Sequence, residues 1–428
     1  MKTAKTIGSM VLTLILSAVI GTALLCAAYA LPTEAIDANV RKSAEVMEQE
    51  GTYPTLFSWC LSTLDNFTDS YMLIEAADPS EGTVLEKALA NRPGIGTRDP
   101  RAVLTEYALR GGEFPEGTGY TRYWHGYEIW LKPLLCMVSY SGIRIVNGFF
   151  QAILAAAVCL LLFRRRLQRV ILPFLLTWAM LMPLALEKSM QFSACFDVAA
   201  LGIIGVLSVR REKAHYTFLL IGIATAYFDF LTYPVFTFGM AAVVYFAAGS
   251  RKNAGESLKA FLRIVICWGI GYAGMWALKW VLAALVTHQD VFADAIGQLK
   301  VRTSDLSQDD VTHVSVFECI ARNIQWFLRT PVTALCGCYA VWKGILFLQG
   351  RAAAKDIDSM QTQPASVLLR SVLPYMLVAL VPIVWFAVTI NHSYMNIFYA
   401  CKTLGISVFA VLVWIAETGK TRLGEMSE

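Results

Sequence analysis

The chain has 428 residues, of which 56% are hydrophobic and only 16% charged, with a formal net charge of +4. A soluble domain carries about 25% charged residues, so the composition excludes an ordinary water-soluble fold and points to an all-α polytopic membrane protein with room for about ten spanning helices. The ten cysteines form no CxxC pair or His/Cys cluster, and there is no P-loop, dinucleotide-binding glycine pattern or basic stripe, which sets aside zinc, nucleotide and nucleic-acid chemistry.

In chain order, the first predicted span runs from Gly8 to about Ala30 behind Lys2 and Lys5, which puts the amino terminus in the cytoplasm. Its end, "AAYALP", carries the small-x-small pattern of a signal-peptidase site at Ala28 and Ala30. The apolar stretch exceeds a usual signal-peptide core, so a retained helix (1–30) is the expectation. From Leu31 to about Gly142 the composition is mixed, and "EGTYP", "NRPGIGTRDP" and "GGEFPEGTGY" read as Gly/Pro turns between short helices in an extracytoplasmic region (31–142). It is too long for a passive connection.

The remaining segment (143–428) reads as a multi-span domain. Its predicted spans are approximately Ile143–Phe163, Val170–Leu186, Met190–Val209, Tyr216–Leu231, Tyr233–Ala248, Phe261–Val286, Ile324–Leu348, Ser371–Ile390 and Tyr399–Ala416. Alternating them across the bilayer puts "RRRLQR" (Arg164 to Arg169), "RREK" (Arg210 to Lys213), "RKNAGESLK" (Arg251 to Lys259), Arg351 to Arg370 and the Lys420/Arg422 tail on one side. Each of the five could have contradicted the alternation. Their agreement predicts a multi-pass plasma-membrane protein with both termini cytoplasmic.

The same alternation gathers the polar motifs on the opposite, outer side: "LDNFTDSYML", "YWHGYEIWLKP", "LEKSMQFS", "FDFLTYP" and "NHSYMNIFYACK". A transporter needs polar groups reachable from both sides near mid-membrane, whereas an enzyme of the outer leaflet needs them at one set of helix ends. Asp65 and Asp69, four apart, share a helix face and can act as a base or hold a cation; alternatively Asp65 caps the helix that follows and Asp69 sits in its first turn. Tyr123, Trp124, His125 and Lys132 can stack on a sugar and face a phosphate, or form an interfacial aromatic belt. Glu187 and Asp229 lie in short outward hairpins, as substrate contacts or as polar turns. His392 and Lys402 are read as phosphate binders or interfacial anchors.

Two ionisable residues, Asp197 and Lys279, fall inside spans at similar depth, which predicts a mutual ion pair. Cys60 and Cys319 both face outward and are compatible with a disulfide, although spacing does not fix connectivity.

With these motifs the chain resembles the type C (GT-C-like) integral-membrane glycosyltransferases, which have many spans and an extracytoplasmic acidic active site that uses polyprenyl-phosphate-linked sugars. The likeness is architectural and covers most of the chain: a first helix, a large outward loop bearing "LDNFTD", and further polar hairpins with His125, Lys132, His392 and Lys402. In that class an acidic residue commonly follows the first span closely, often in a paired motif; here Asp65 lies well beyond Ala30 and three residues separate it from Asp69. The resemblance implies an inverting transfer of a sugar from a polyprenyl-phosphate donor to a glycan or lipid acceptor of the cell envelope, with Asp65, or alternatively Asp69, taking the acceptor proton. No ligand set demands a metal, and a divalent cation stays open as an aid. Two other classes remain: a transporter or polymerase of lipid-linked glycans, and a non-enzymatic membrane assembly factor. Paired broken helices and internal symmetry, which a transporter of that kind would show, are not visible.

Overall fold

The uninterrupted apolar runs dictate helices, because a chain in hydrocarbon must satisfy its own backbone N–H and C=O groups. The computed structural model describes residues 2–91, 95, 98–115, 119–229, 231–249, 253–307, 311–355 and 365–418, and they are helix, turn or irregular chain. The extended pairings among them are two isolated bridges, Thr55 with Thr63 and Leu306 with His313. Of the basic segments, Arg251, Lys252, residues 356–364, Lys420 and Arg422 lie outside the described residues, as do parts of the Gly/Pro-rich stretches and Phe230.

A long first helix, α1 (Lys2–Tyr29), is followed by short helices: α2 (Thr33–Glu50), α3 (Asn66–Ala76), α4 (Val84–Ala90), α5 (Pro100–Leu109) and α6 (Glu128–Leu135). Their starts follow from capping. Asp65, Thr83 and Asp99 each accept a hydrogen bond from a first-turn N–H, Thr83 with Glu86 forms a full capping box, and Pro100 occupies the first turn of α5. α2 buries Ile36, Val40, Ala44 and Met47 at helical spacing against a second core that includes Leu73, Leu104 and Leu131.

Next come α7 (Tyr140–Arg164), α8 (Gln168–Met180), α9 (Pro183–Lys188), α10 (Met190–Ser208), α11 (Ala214–Phe228), α12 (Val235–Ala247) and α13 (Ala254–Thr287). Then follow α14 (Val291–Thr303), α15 (Val316–Leu328), α16 (Pro331–Lys355), α17 (Ala365–Ala379), α18 (Val381–Val388), α19 (Ile390–Met395), α20 (Ile397–Ala400) and α21 (Gly405–Thr418).

Among the described residues, seven helical stretches are long and apolar enough to cross a membrane: Thr6–Tyr29, Tyr140–Arg164, Met190–Ser208, Ala254–Thr287, Pro331–Gln349, Ser371–Val388 and Ile397–Glu417. The other three expected spans coincide with shorter helices. The one expected over 170–186 is broken between α8 and α9, where Met182 takes a left-handed conformation (φ 61°) directly before Pro183, a residue that disfavours helix in its predecessor. α11 and α12 have 15 and 13 residues, short of the roughly 20 that a spanning helix needs. Both are apolar around much of their circumference and largely buried among neighbours. α11 meets α13 backbone to backbone: a Cβ on Gly222 would lie 2.1 Å from the Trp268 carbonyl oxygen, and one on Gly271 would lie 2.2 Å from that of Leu219.

The two ends of this bundle differ chemically. At one end, Arg169 binds Glu417 at 2.9 Å and the Ala247 carbonyl at 3.0 Å, Arg211 binds the Tyr245 carbonyl at 3.1 Å, and Arg165 with Arg211 lines a shallow cavity. At the other end, α1 meets α4 and α6, α13 meets α4, α7 meets α6 and α10 meets α3, while the Tyr227 carbonyl of α11 accepts the Gly126 N–H at 2.9 Å. Contacts there include Tyr29 with Glu75, Tyr140 with Asp69, the Met190 N–H with Asp69, and Lys279 with Asn91.

Candidate functional site

A cavity of about 290 Å³ opens at this second end. Each of the five polar motifs singled out in the sequence contributes to its wall. Asp65, Phe67, Thr68 and Tyr71 come from the first, Tyr123 from the second, Gln191 from the third, Leu231 from the fourth, and His392, Asn396, Phe398 and Tyr399 from the fifth. Tyr53, Tyr120 and Arg302 complete it.

Among the described residues, Asp65 is the one carboxylate on this wall. As the cap of α3 it accepts the Thr68 N–H at 3.1 Å through Oδ1; Oδ2 accepts the Thr68 hydroxyl at 2.9 Å and the Gln191 amide at 2.6 Å. Its own N–H donates to Ser189 at 3.1 Å. Those bonds use three of about four carboxylate acceptor positions and leave one on Oδ1. Burial pushes the Asp65 carboxyl up to about 6, against the Thr68 bonds that favour its charged form.

Asp69 faces elsewhere. Its Oδ2 accepts the Tyr140 hydroxyl and its Oδ1 the Met190 N–H at 3.2 Å, so it ties α3 to α7 and α10 and does not line the cavity. Burial raises its carboxyl well above the ordinary range. Beside it Arg144 makes a two-pronged contact with Glu50, at 2.7 and 2.9 Å, and reaches Asn66 at 3.0 Å.

Of the proposed substrate contacts, Tyr123 and His392 line the cavity. Burial first, and then nearby Arg302, press the His392 imidazole down to about 3, so it is neutral near pH 7 and serves as a hydrogen-bonding group, not a counter-charge. The others sit outside the wall, for local reasons. The Trp124 indole donates to the Met275 carbonyl at 2.8 Å. Lys132 donates to the Ala76 carbonyl at 2.7 Å and lies over the Tyr29 ring. Glu187 is half-buried against α7, its carbonyl accepting from Asn147 at 2.9 Å. Asp229 accepts the Thr232 N–H at 3.0 Å and the Cys195 thiol at 3.3 Å, two residues short of the lining Leu231. Lys402 is fully buried and donates to the Leu61 and Leu181 carbonyls at 2.8 and 3.1 Å.

His125 belongs to a buried polar network beneath the aromatic wall. Its Nε2 lies 3.0 Å from the Tyr120 carbonyl and its Nδ1 2.8 Å from Glu75 Oε2, with the Tyr127 hydroxyl at 2.9 Å. Glu75 also accepts from Tyr127, from Asn91 at 2.6 Å and from Tyr29 at 3.2 Å. Burial alone would raise the Glu75 carboxyl, but His125 and these donors outweigh it and hold it below the usual range. Glu128, fully buried with neither carboxylate oxygen hydrogen-bonded, is pushed well up by burial and by Glu75.

Two expected pairings are corrected. Lys279 turns away from Asp197 and donates to the Leu89 carbonyl at 2.9 Å and to Asn91 Oδ1 at 3.1 Å, because α13 packs beside α4. Asp197 keeps a buried, unpartnered Oδ1. The described cysteines are all free: Cys60 contacts the Cys401 thiol and the Trp326 carbonyl, whereas Cys319 faces the Phe386 and Ile390 carbonyls at 4.0 and 3.7 Å.

Arg302, Tyr53 and Tyr120 were not picked out in the sequence. Arg302 sits in a connecting helix with no motif, and only the fold sets it opposite "LDNFTD" and "NHSYMN". Among the described residues no group of three or more His, Cys, Asp and Glu side chains could hold a metal ion, and the described wall of the cavity offers a divalent cation the Asp65 carboxylate alone. Comparison with protein-family models, with curated proteins and with solved structures found no match for this chain.

Proposed function

We propose that this chain is a membrane glycosyltransferase that moves a sugar from a polyprenyl-phosphate donor to a hydroxyl of an extracytoplasmic cell-envelope acceptor. The reading rests on one observation: five segments far apart in sequence converge on a cavity where the described residues supply one carboxylate, one guanidinium and seven aromatic rings besides His392. A volume of about 290 Å³ is near the lower bound for small-molecule sites, roughly 300 Å³, and suits one sugar with its linkage groups. Flat ring faces suit the apolar faces of a sugar.

In the transfer, the acceptor oxygen forms a bond to the sugar's anomeric carbon and its proton goes to the open lone pair of Asp65. The bond from that carbon to the phosphate oxygen breaks, its electron pair leaves on the phosphate, and the Arg302 guanidinium faces the charge that develops. Neutral His392 and Asn396 hydrogen-bond to the sugar hydroxyls. General-base assistance of this kind contributes about 10² to 10⁴-fold. In the same reading the arginine-rich end is cytoplasmic, the cavity end extracytoplasmic, and the short helices α8, α11 and α12 complete a ten-segment alternation in the plasma membrane.

The test is transfer from radiolabelled polyprenyl-phosphate sugars in membranes carrying wild type, Asp65→Asn or Arg302→Ala. Asp65→Asn should lose turnover by at least about 10²-fold, and Arg302→Ala by a comparable factor. Undiminished transfer by Asp65→Asn removes the proposed base.

A further inference from the structure

We infer that α14 is a membrane-surface helix whose outer apolar stripe is seated in the acyl-headgroup boundary of the leaflet at the cavity end. With 13 residues, about 20 Å, it is too short to span. Both its ends are held at the same end of the bundle. Near its start, the Phe292 ring lies 6.0 Å from that of Trp280, and Asp294 binds Arg122 at 2.8 Å. At its finish Arg302 lines the cavity, and the Ser304 carbonyl accepts the Asn391 N–H at 2.9 Å. The helix therefore lies across the bundle. His288, left-handed at φ 55°, closes α13, and Asp290 caps α14 through the Ala293 N–H at 3.0 Å, which makes the sharp turn between them.

Three faces follow from the helical repeat of about 100° per residue. Val291 and Ala295 are buried, with Gln298 and Arg302 partly so, on the face turned to the protein. Roughly a quarter turn away, Phe292, Ile296 and Leu299 fall on one stripe and are 40%, 47% and 58% exposed. The remaining arc carries Ala293, Asp294, Gly297, Lys300 and Val301; Thr303, in the last turn, falls on the stripe with its hydroxyl donating back to the Leu299 carbonyl at 2.9 Å. The occupant of the stripe is lipid because the stripe continues a lipid-facing exterior: α13 exposes Val281 and Leu285 just before the turn. Trp280, against which Phe292 packs, has the amphipathic character typical of the membrane interface. Seating the stripe there brings Arg302 to headgroup level.

The experiment places spin labels one at a time, on the full chain in lipid nanodiscs, at 292, 296 and 299 and at the control positions 293, 297 and 301. The background is Cys338→Ser, since Cys338 is exposed, and the background's own signal is subtracted. Relative accessibility to oxygen over a water-soluble nickel chelate should be several-fold higher at the three stripe positions than at the controls, Val301 included although it is apolar and exposed. Equal chelate access at all six positions would overturn the assignment. So would labels at 292, 296 and 299 shielded from both reagents, which would mean that protein covers the stripe. Neither readout depends on enzymatic turnover, so this inference and the proposed activity stand or fall separately.

Discussion

Asp65 meets two demands with one side chain, closing the first turn of α3 and facing the cavity with one open lone pair. The sequence held both readings, because an acidic residue before a helical run fits either. Arg302 and the Glu75–His125 contact were not legible, since nothing local ties α14 to residue 65 or residue 125 to residue 75. Lys279 shows the limit of depth-matching: its partner is the Asn91 side chain, reached by tertiary packing, and not the aspartate at the same level. The upward displacement of Asp65 from 3.8 to about 6 sets a stability window. The folded state prefers its neutral form, so this stability is whole below about pH 4 and is lost as pH rises through about 6, a cost of about 3 kcal/mol at neutral pH. Asn keeps the cap and carries no charge. Asp65→Asn should therefore melt higher than wild type above pH 6, and the difference should vanish near pH 4, as followed by thermal unfolding in detergent. Wild-type turnover should fall about tenfold per pH unit below about 6 as the base is protonated, which a pH–rate profile reads directly.

At the scale of elements, hydropathy marks the helices but not where they break. The run over 170–186 is continuous in apolar character, yet Met182 and Pro183 divide it; the proline was visible and explains why the helix does not run through its predecessor, but the left-handed conformation of Met182 was not legible. The α11–α13 contact was equally hidden, because Gly222 and Gly271 are unremarkable glycines until two backbones meet at them. Replacing Gly271 with Leu drives a side chain into the Leu219 carbonyl, which is backbone and cannot rotate away. Overpacking of this kind costs about 1–3 kcal/mol, and α13 carries Lys279 and Trp280 to the site end. Gly271→Leu should lower the melting temperature by several degrees, whereas Gly269→Leu, where a Cβ would meet nothing within 4 Å, should leave it nearly unchanged. Asp69→Ala removes the acceptors of the Tyr140 hydroxyl and the Met190 N–H, leaves both donors buried and unsatisfied, and should lower stability while folded protein keeps much of its turnover, the opposite of Asp65→Asn in both respects. Melting curves and specific activity on the same preparations separate the two.

Across the whole molecule, the segregation of charge is the property most readable from sequence, because it is a sum over loops and not a single contact. Five basic segments agree with one alternation, and three of the described arginines among them, Arg165, Arg169 and Arg211, gather at the bundle end away from the cavity. The number of full-length spans was less readable, since burial among neighbours lets α11 and α12 be apolar without being long. What the fold adds is convergence: polar motifs separated by up to several hundred residues share one cavity wall because the helices that carry them end at the same level. If the basic end faces the cytoplasm, a thiol introduced at exposed Glu81, in the α3–α4 connection, should react with a membrane-impermeant maleimide on intact cells, while one at exposed Glu212, in the arginine-rich turn before α11, should react only after permeabilisation. Labelling of both positions on intact cells would place the two ends in one compartment and contradict the alternation. Exclusive labelling of Glu212→Cys would invert the protein and put the cavity, with Asp65 and Arg302, on the cytoplasmic side, where an acceptor of the outer envelope cannot reach it.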